Sequence, residues 1–238
     1  MHVSSHSRTG MVVSLCGGLL AACGGSAGDD LGTGSDTLFV DADIEASPEI
    51  PNASSPGDFT TELRVRVEKN GAPVTTGEVW IASEGGDIAL VWDGGDDGGR
   101  WRGAQVGYHE VYVLQVTSGD DFVADVQVDG PDLHFFTSPT GAAVIDATQP
   151  LLVSWSCDDQ ADSARLETRG MDGATIPDTG EFEVPVGGLE SKEEEPESEE
   201  LRLERWSRVA PAGAITGSEV RVRIENRLDV VVAATGPL

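Results

Sequence analysis

The feature that most constrains the fold is a two-residue alternation of apolar and polar side chains, which recurs from Thr37 onward. It is clearest at 63–68, which reads Leu-Arg-Val-Arg-Val-Glu, and at 220–225, which reads Val-Arg-Val-Arg-Ile-Glu. Successive side chains of a β-strand point to opposite faces, so this period indicates antiparallel strands with one buried face. The sequence therefore predicts an all-β fold.

Clusters of turn-forming residues separate the alternating segments, as in Asn70-Gly71-Ala72-Pro73. Turn signals at this spacing are typical of β-sandwiches. The turn at Gly130-Pro131 follows a complete strand pattern and divides the chain into 37–130 and 131–238, each near the usual domain size. We therefore predict two tandem antiparallel β-sandwich domains. A helix is considered possible only at 197–208.

The amino terminus has the pattern of an export signal. Residues 1–22 contain no acidic side chain, and Arg8 precedes a largely apolar run from Met11 to Ala22. That run is shorter than the roughly 20 residues needed to span a membrane, but it has the length of a signal-peptide hydrophobic region. The sequence predicts that the protein is exported.

The apolar run ends in Leu20-Ala21-Ala22-Cys23, which resembles the lipobox of bacterial lipoproteins. The resemblance implies that 1–22 is a lipoprotein signal peptide and that Cys23 carries diacylglycerol, which anchors the protein to the cell envelope, at the outer membrane. The alternative is an ordinary signal peptide with Cys23 incidental. Residues 23–36 are rich in Gly, Ser and Asp, so we expect a flexible tether.

The charge of the chain excludes some partners. Asp and Glu number 42 against 15 Lys and Arg, for a formal net charge of −27. Such a surface repels a phosphate backbone or an anionic leaflet, so nucleic acid is not an expected partner. The acidity is expected to keep a surface protein soluble.

Short motifs in both segments resemble known modules. Asn70-Gly71-Ala72-Pro73-Val74 and the turn Gly98-Gly99-Arg100-Trp101 resemble bacterial Ig-like and carboxypeptidase-regulatory-like domains. Phe136-Thr137-Ser138-Pro139 and 180–185 are similar to Ig-like domains of the Ser/Thr-rich cell-wall type. These resemblances imply two Ig-like domains that serve scaffolding or adhesion, and neither family supplies a catalytic residue.

Two acidic clusters are weak candidates for a metal site. Asp93, Asp96 and Asp97 lie in one predicted loop, and a second cluster spans 158–162. Calcium takes six to eight oxygens, but the ligand order of an EF-hand and its bidentate glutamate are absent. We therefore expect a hairpin turn, no metal and no cofactor.

Residues suited to catalysis are scarce. After processing, His109 and His134 are the only histidines, and both are expected to lie in strands without metal-ligand spacing. Cys157 has no disulfide partner besides the lipidated Cys23, and we expect it to be half-buried. The acidic run at 190–200 is expected to be a solvated loop, with an acidic docking surface as the alternative.

These patterns together favour a non-catalytic, lipid-anchored envelope protein that serves adhesion or protein binding. Its expected partners are the membrane, through lipid on Cys23, and an unknown protein or glycan. The alternative is a carbohydrate-binding module or an accessory subunit of an envelope enzyme complex, which aromatic side chains exposed on one sheet face would favour. The candidates for such exposure are Trp80, Trp92, Trp101, Trp155 and Trp206. A hydrolase has almost no support from the residues.

Overall fold

The computed structural model describes residues 31–95, 98–192 and 194–234. Within these ranges the chain forms eighteen β-strands, one 3-10 turn (Pro56–Asp58) and no α-helix, which confirms the all-β prediction. The strands are β1 (Thr33–Gly34), β2 (Phe39–Pro48), β3 (Phe59–Lys69), β4 (Ala72–Pro73), β5 (Glu78–Ser83), β6 (Gly86–Ala89), β7 (Val91–Asp93), β8 (Arg100–Val106), β9 (Val111–Ser118), β10 (Asp121–Asp129), β11 (Phe136–Ser138), β12 (Val144–Ile145), β13 (Leu151–Trp155), β14 (Ser163–Thr168), β15 (Met171–Ile176), β16 (Glu181–Val184), β17 (Glu197–Val209) and β18 (Glu219–Val232).

These strands form three sheets. A five-stranded sheet has the order β1-β10-β9-β5-β6, and a three-stranded sheet has the order β11-β13-β16. The ten-stranded sheet runs β15-β14-β17-β18-β2-β3-β8-β7, with β12 beside β18 and β4 beside β3. Most pairs are antiparallel as predicted, but β2 and β12 both pair with β18 in parallel. Both are far from β18 in the chain, and a parallel pair needs such a long connection.

Both hydrophobic cores lie on the same face of the ten-stranded sheet. Along β18, every even-numbered residue from Val220 to Val232 is buried. The end of β18 near Val220 joins a core formed with the five-stranded sheet, and the end near Val232 joins a second core formed with the three-stranded sheet. Two sandwiches are thus confirmed, and one continuous sheet serves both.

The packing does not follow the division at residues 130 and 131. Val209, Val220, Val222 and Ile224 come from the second segment, yet they belong to the first core. The reason is the length of β17 and β18, which have 13 and 14 residues and extend along both cores. The prediction of a possible helix at 197–208 is wrong, because this stretch alternates with a period of two and forms most of β17.

The last part of the predicted tether at 23–36 is not flexible, and residues 23–30 lie outside the described residues. Residues 31–36 are bound to the fold, because Ala212 N donates a hydrogen bond to Leu31 O, Ser35 N to Phe122 O and Asp36 N to Gly213 O. The predicted signal peptide, the lipobox and Cys23 lie outside the described residues. Within the described ranges, no helix has the length and apolar character to cross a membrane.

Candidate interaction surface

The face of the ten-stranded sheet opposite the two cores concentrates the arginines of the protein. Ten of the thirteen arginines lie there, and we call this surface the arginine face. They are Arg64, Arg66, Arg100, Arg102, Arg165, Arg202, Arg208, Arg221, Arg223 and Arg227. The register places Arg208, Arg221, Asp43, Arg64 and Arg102 directly opposite one another on five successive strands, β17, β18, β2, β3 and β8.

Ion pairs connect these arginines to carboxylates on neighbouring strands. Arg223 lies 2.7 Å from both Asp43 and Glu45 and 2.9 Å from Glu204. Burial alone lowers the pKa of Arg223, but these three carboxylates outweigh it and raise the pKa above its usual value. Like charges stand directly opposite at Arg208 and Arg221, which is unfavourable. The ion pair of Arg221 with Asp43, directly opposite on β2 at 3.2 Å, offsets that repulsion.

The arginine face is therefore cross-linked by ion pairs and of mixed charge, on a protein whose net charge is −27. Trp206 lies half-buried in it, opposite Ser163 on one side and Arg223 on the other. Arginine and tryptophan are enriched in protein interfaces, where charge complementarity sets orientation and partner choice. The arrangement suits recognition of another protein surface.

A buried ion pair between Arg205 of β17 and Asp178 connects β17 to neighbouring loops of the protein. The side chains of Arg205 and Asp178 are both fully buried and lie 2.6 Å apart. Arg205 also donates hydrogen bonds to the backbone oxygens of Asp132 (2.9 Å) and Asp159 (2.6 Å). Trp155 Nε1 donates to Asp178 at 3.1 Å. Cys157 Sγ lies 3.7 Å from Arg205, half-buried, so this cysteine borders a structural network.

Both histidines lie outside strands, contrary to prediction. His109 is in the connection between β8 and β9, and His134 is in the connection between β10 and β11. His134 is fully buried, and its Nε2 lies 3.3 Å from Leu203 O. Burial, with a smaller contribution from the positive charge of Arg205, lowers the pKa of His134 to about 3. The ring is therefore neutral at physiological pH.

An acidic cleft of about 290 Å³ lies at the junction of the two sandwiches. Glu110, Asp132, Asp159 and Asp162 line it together with Arg208. Burial raises the pKa of Glu110 and of Asp132, and the charge of Asp132 raises that of Glu110 further. Asp159 and Asp162, from the predicted cluster at 158–162, thus line the same cleft as Glu110 and Asp132. In the part of the chain that the structure describes, no group of three such side chains could hold a metal ion.

The other predicted metal candidates are only partly described. Asp93 forms an ion pair with Arg102 at 2.9 Å. Asp96 and Asp97 lie outside the described residues, so the absence of calcium in this loop stays a prediction.

The acidic run at 190–200 is not a loop throughout. Residues 197–200 begin β17, and Glu199 is fully buried. The backbone N of Arg169 donates to a Glu199 carboxylate oxygen at 2.7 Å, and burial raises the pKa of Glu199. Only the part that precedes Glu197 fits the predicted loop.

The five tryptophans differ in exposure. Trp101 and Trp155 are buried, and Trp92 packs edge-on against Trp101 with ring centroids 5.9 Å apart. Trp80 is 39% exposed on the outer face of the five-stranded sheet. Sequence reasoning missed Arg205, although a signal was present: it follows Leu201 and Leu203 at a position that the alternation assigns to the core.

Comparison with known proteins identifies no family. No family model matches the chain, and no curated protein matches it. Among solved structures, the chain is similar to a two-domain fibronectin type-III segment from chicken tenascin. The identity is 13% and the TM-score 0.23, and the match covers 82% of this chain and 99% of that chain. This likeness is remote, and the assignment of the fold rests on the strands described above.

Proposed function

We propose that this protein is a non-catalytic, lipid-anchored protein of the bacterial cell envelope that binds a protein partner through the arginine face. The observation that carries the proposal is the concentration of ten arginines on one sheet face of an acidic protein. At the other surfaces negative charge dominates, so they repel most acidic partners. Among the described residues, this face combines both signs of charge with the half-buried Trp206.

The rigidity of the arginine face favours binding. Its arginines are held by ion pairs across β17, β18, β2 and β3, so little side-chain entropy is lost when a partner docks. Arg102 and Arg208 keep 42% and 60% of their side chains exposed, which leaves their guanidinium groups accessible to partner carboxylates.

The environment of the histidines supports a non-catalytic role. A nucleophilic Ser or Cys needs an adjacent base. Neither His109 nor His134 hydrogen-bonds through its ring to a hydroxyl or thiol among the described residues, and the His134 ring is buried and neutral. Binding is therefore the better supported function.

The lipid anchor is tested with Cys23→Ser. We expect this variant to lose incorporation of labelled fatty acid and to accumulate as precursor or as released protein. Cys16→Ser is the matched control and is expected to be lipidated normally, because Leu15 occupies the position where a lipobox has a small residue. Fatty-acid labelling of Cys23→Ser equal to that of the wild type would show that the anchor is assigned wrongly.

The binding surface is tested by crosslinking on intact cells followed by mass spectrometry. We expect Arg102→Gln combined with Arg208→Gln to lose the partner that the wild type captures. Lys69→Gln is the control, because Lys69 pairs with Asp121 on β10 of the five-stranded sheet rather than with a residue of the arginine face. Capture of the same partner, at the same yield, by the double variant would exclude the arginine face as its site.

A further inference from the structure

A second surface differs from the arginine face in its chemistry. It is the outer face of the five-stranded sheet around Trp80, and we call it the tryptophan face. Trp80 on β5 stands opposite Ala89 of β6 and Gln115 of β9, and Ala82 follows it on the same side of β5. Because two of these neighbours are alanines, the indole ring is left uncovered beside a depression of about 370 Å³.

Polar side chains without internal partners surround this ring. Glu78, Asp87, Gln115 and Thr117 are exposed, and all four line the depression together with Trp80. In the described parts of the chain, the side chains of these four residues form no hydrogen bond or ion pair with the protein. This differs from the arginine face, where carboxylates such as Asp43 and Glu45 are paired. The free donors and acceptors are therefore available to a ligand.

A second aromatic ring lies on the same face. Phe122 on β10 is opposite Thr117, which is opposite Glu78, so its side chain lies on the same side of the sheet as Trp80. It is 38% exposed. Strands separated by one neighbour are about 10 Å apart, so the two aromatic side chains can contact successive parts of one extended ligand.

We propose that the tryptophan face binds a neutral, hydroxyl-rich polysaccharide. The apolar C–H face of a sugar ring can stack on the negative face of the Trp80 ring, and its hydroxyls can bond to Gln115, Thr117 and Asp87. Phe122 provides the second stacking contact. Glu78 and Asp87 have no neighbouring cation, so they repel phosphorylated or uronic-acid polymers. The inference is independent of the arginine face and of the anchor.

The test is affinity electrophoresis of the full-length protein in detergent. Native gels contain a neutral polysaccharide (hydroxyethyl cellulose, xylan or galactomannan) or the anionic polymer polygalacturonate. We expect at least one neutral polymer to retard the protein, and polygalacturonate to leave its mobility unchanged. Trp80→Ala should weaken the interaction at least about tenfold, as expected for loss of a stacking contact.

Two further variants separate binding from folding. Ala89→Gln places a longer side chain beside the Trp80 ring without altering a core residue, and it should also abolish retardation. Trp206→Ala, on the arginine face, should retain it, which distinguishes this site from the proposed protein-binding surface. The proposal is overturned if no neutral polymer retards the wild type. That is the result expected if the tryptophan face binds a basic protein segment instead. The proposal is equally overturned if Trp80→Ala and Ala89→Gln migrate like the wild type.

Discussion

Arg205 occupies a position that the alternation of β17 assigns to an apolar side chain, and it is fully buried. Its guanidinium group connects β17 with Asp178 and with the backbone at residues 132 and 159. Charge-assisted hydrogen bonds of this kind satisfy the buried charge. A buried charge that loses its partner is costly, so the pair constrains the second sandwich strongly.

Asp178→Asn is expected to lower the free energy of unfolding by about 3–5 kcal/mol, because Arg205 then stays buried without a counter-charge. Urea denaturation measures this. The control is Glu167→Gln, which removes a solvent-exposed pair with Arg165 (3.7 Å) and should cost less than about 1 kcal/mol. Equal costs for the two variants would contradict the role assigned to the buried pair.

His134 is expected to make stability depend on pH. In the folded protein its pKa is about 3, below the usual 6.5, so between these values the unfolded chain binds a proton that the folded chain does not. The free energy of unfolding therefore falls as pH decreases below 6.5, by up to about 1.4 kcal/mol per unit. Urea denaturation between pH 7 and 5 should show a shallower dependence for His134→Gln. An unchanged pH dependence in His134→Gln would contradict the role assigned to this histidine.

At the scale of elements, the two-residue strand β1 depends on a contact between glycines. A Cβ on Gly213 would lie 1.9 Å from Gly34 N, so neither residue can carry a side chain without moving the backbone. Gly213 also has a φ of +71°, which favours glycine. The amino-terminal segment can approach the β17–β18 connection closely only because both positions are glycine.

Gly213→Ala is expected to destabilise the protein and to release β1. Gly71→Ala is the matched control, because Gly71 has a similar φ of +77° but nothing within 4 Å of the added Cβ. The control should cost about 1–2 kcal/mol from its backbone conformation alone. Gly213→Ala should cost more and should make residues 31–36 sensitive to limited proteolysis. Equal protease resistance and equal melting temperatures for both variants would argue against the glycine contact.

The elements also show what the sequence can and cannot predict. The alternation in β3 and β18 is enough to place their inward and outward residues, including the outward arginines. The strands β1, β4 and β12 have two residues each, which is too short for an alternation of apolar and polar side chains to be recognised in the sequence. The arginine face itself depends on the parallel pairing of β2 with β18, which brings Asp43 to Arg221 across 178 residues of chain. No local pattern encodes a contact over that distance.

At the scale of the whole molecule, the two cores share β17 and β18. Tandem domains joined by a linker can unfold separately, whereas a strand that serves two cores couples them. Asn226 adds to this coupling, because its buried Nδ2 donates to the backbone oxygens of both Ala53 and His134 at 2.8 Å. We therefore expect the two sandwiches to unfold as one cooperative unit.

Calorimetry is expected to show a single unfolding transition, with equal calorimetric and van't Hoff enthalpies. Leu63→Ala in the first core and Leu203→Ala in the second should each cost about 2–5 kcal/mol and should lower the melting temperature of that same transition. Two transitions, each shifted by only one of the substitutions, would show that the cores unfold independently.

The continuous sheet also determines how the molecule carries mechanical load. A pull on the amino end first acts on β1, which pairs with β10 through only two residues. It next reaches β2, which is paired along its length with β3 and in parallel with β18. Tension along β2 loads these hydrogen bonds together in shear, and β18 distributes the force over both sandwiches. Tension on the amino end is thus expected to release β1, with its few hydrogen bonds to β10 and to the β17–β18 connection, before it extends β2.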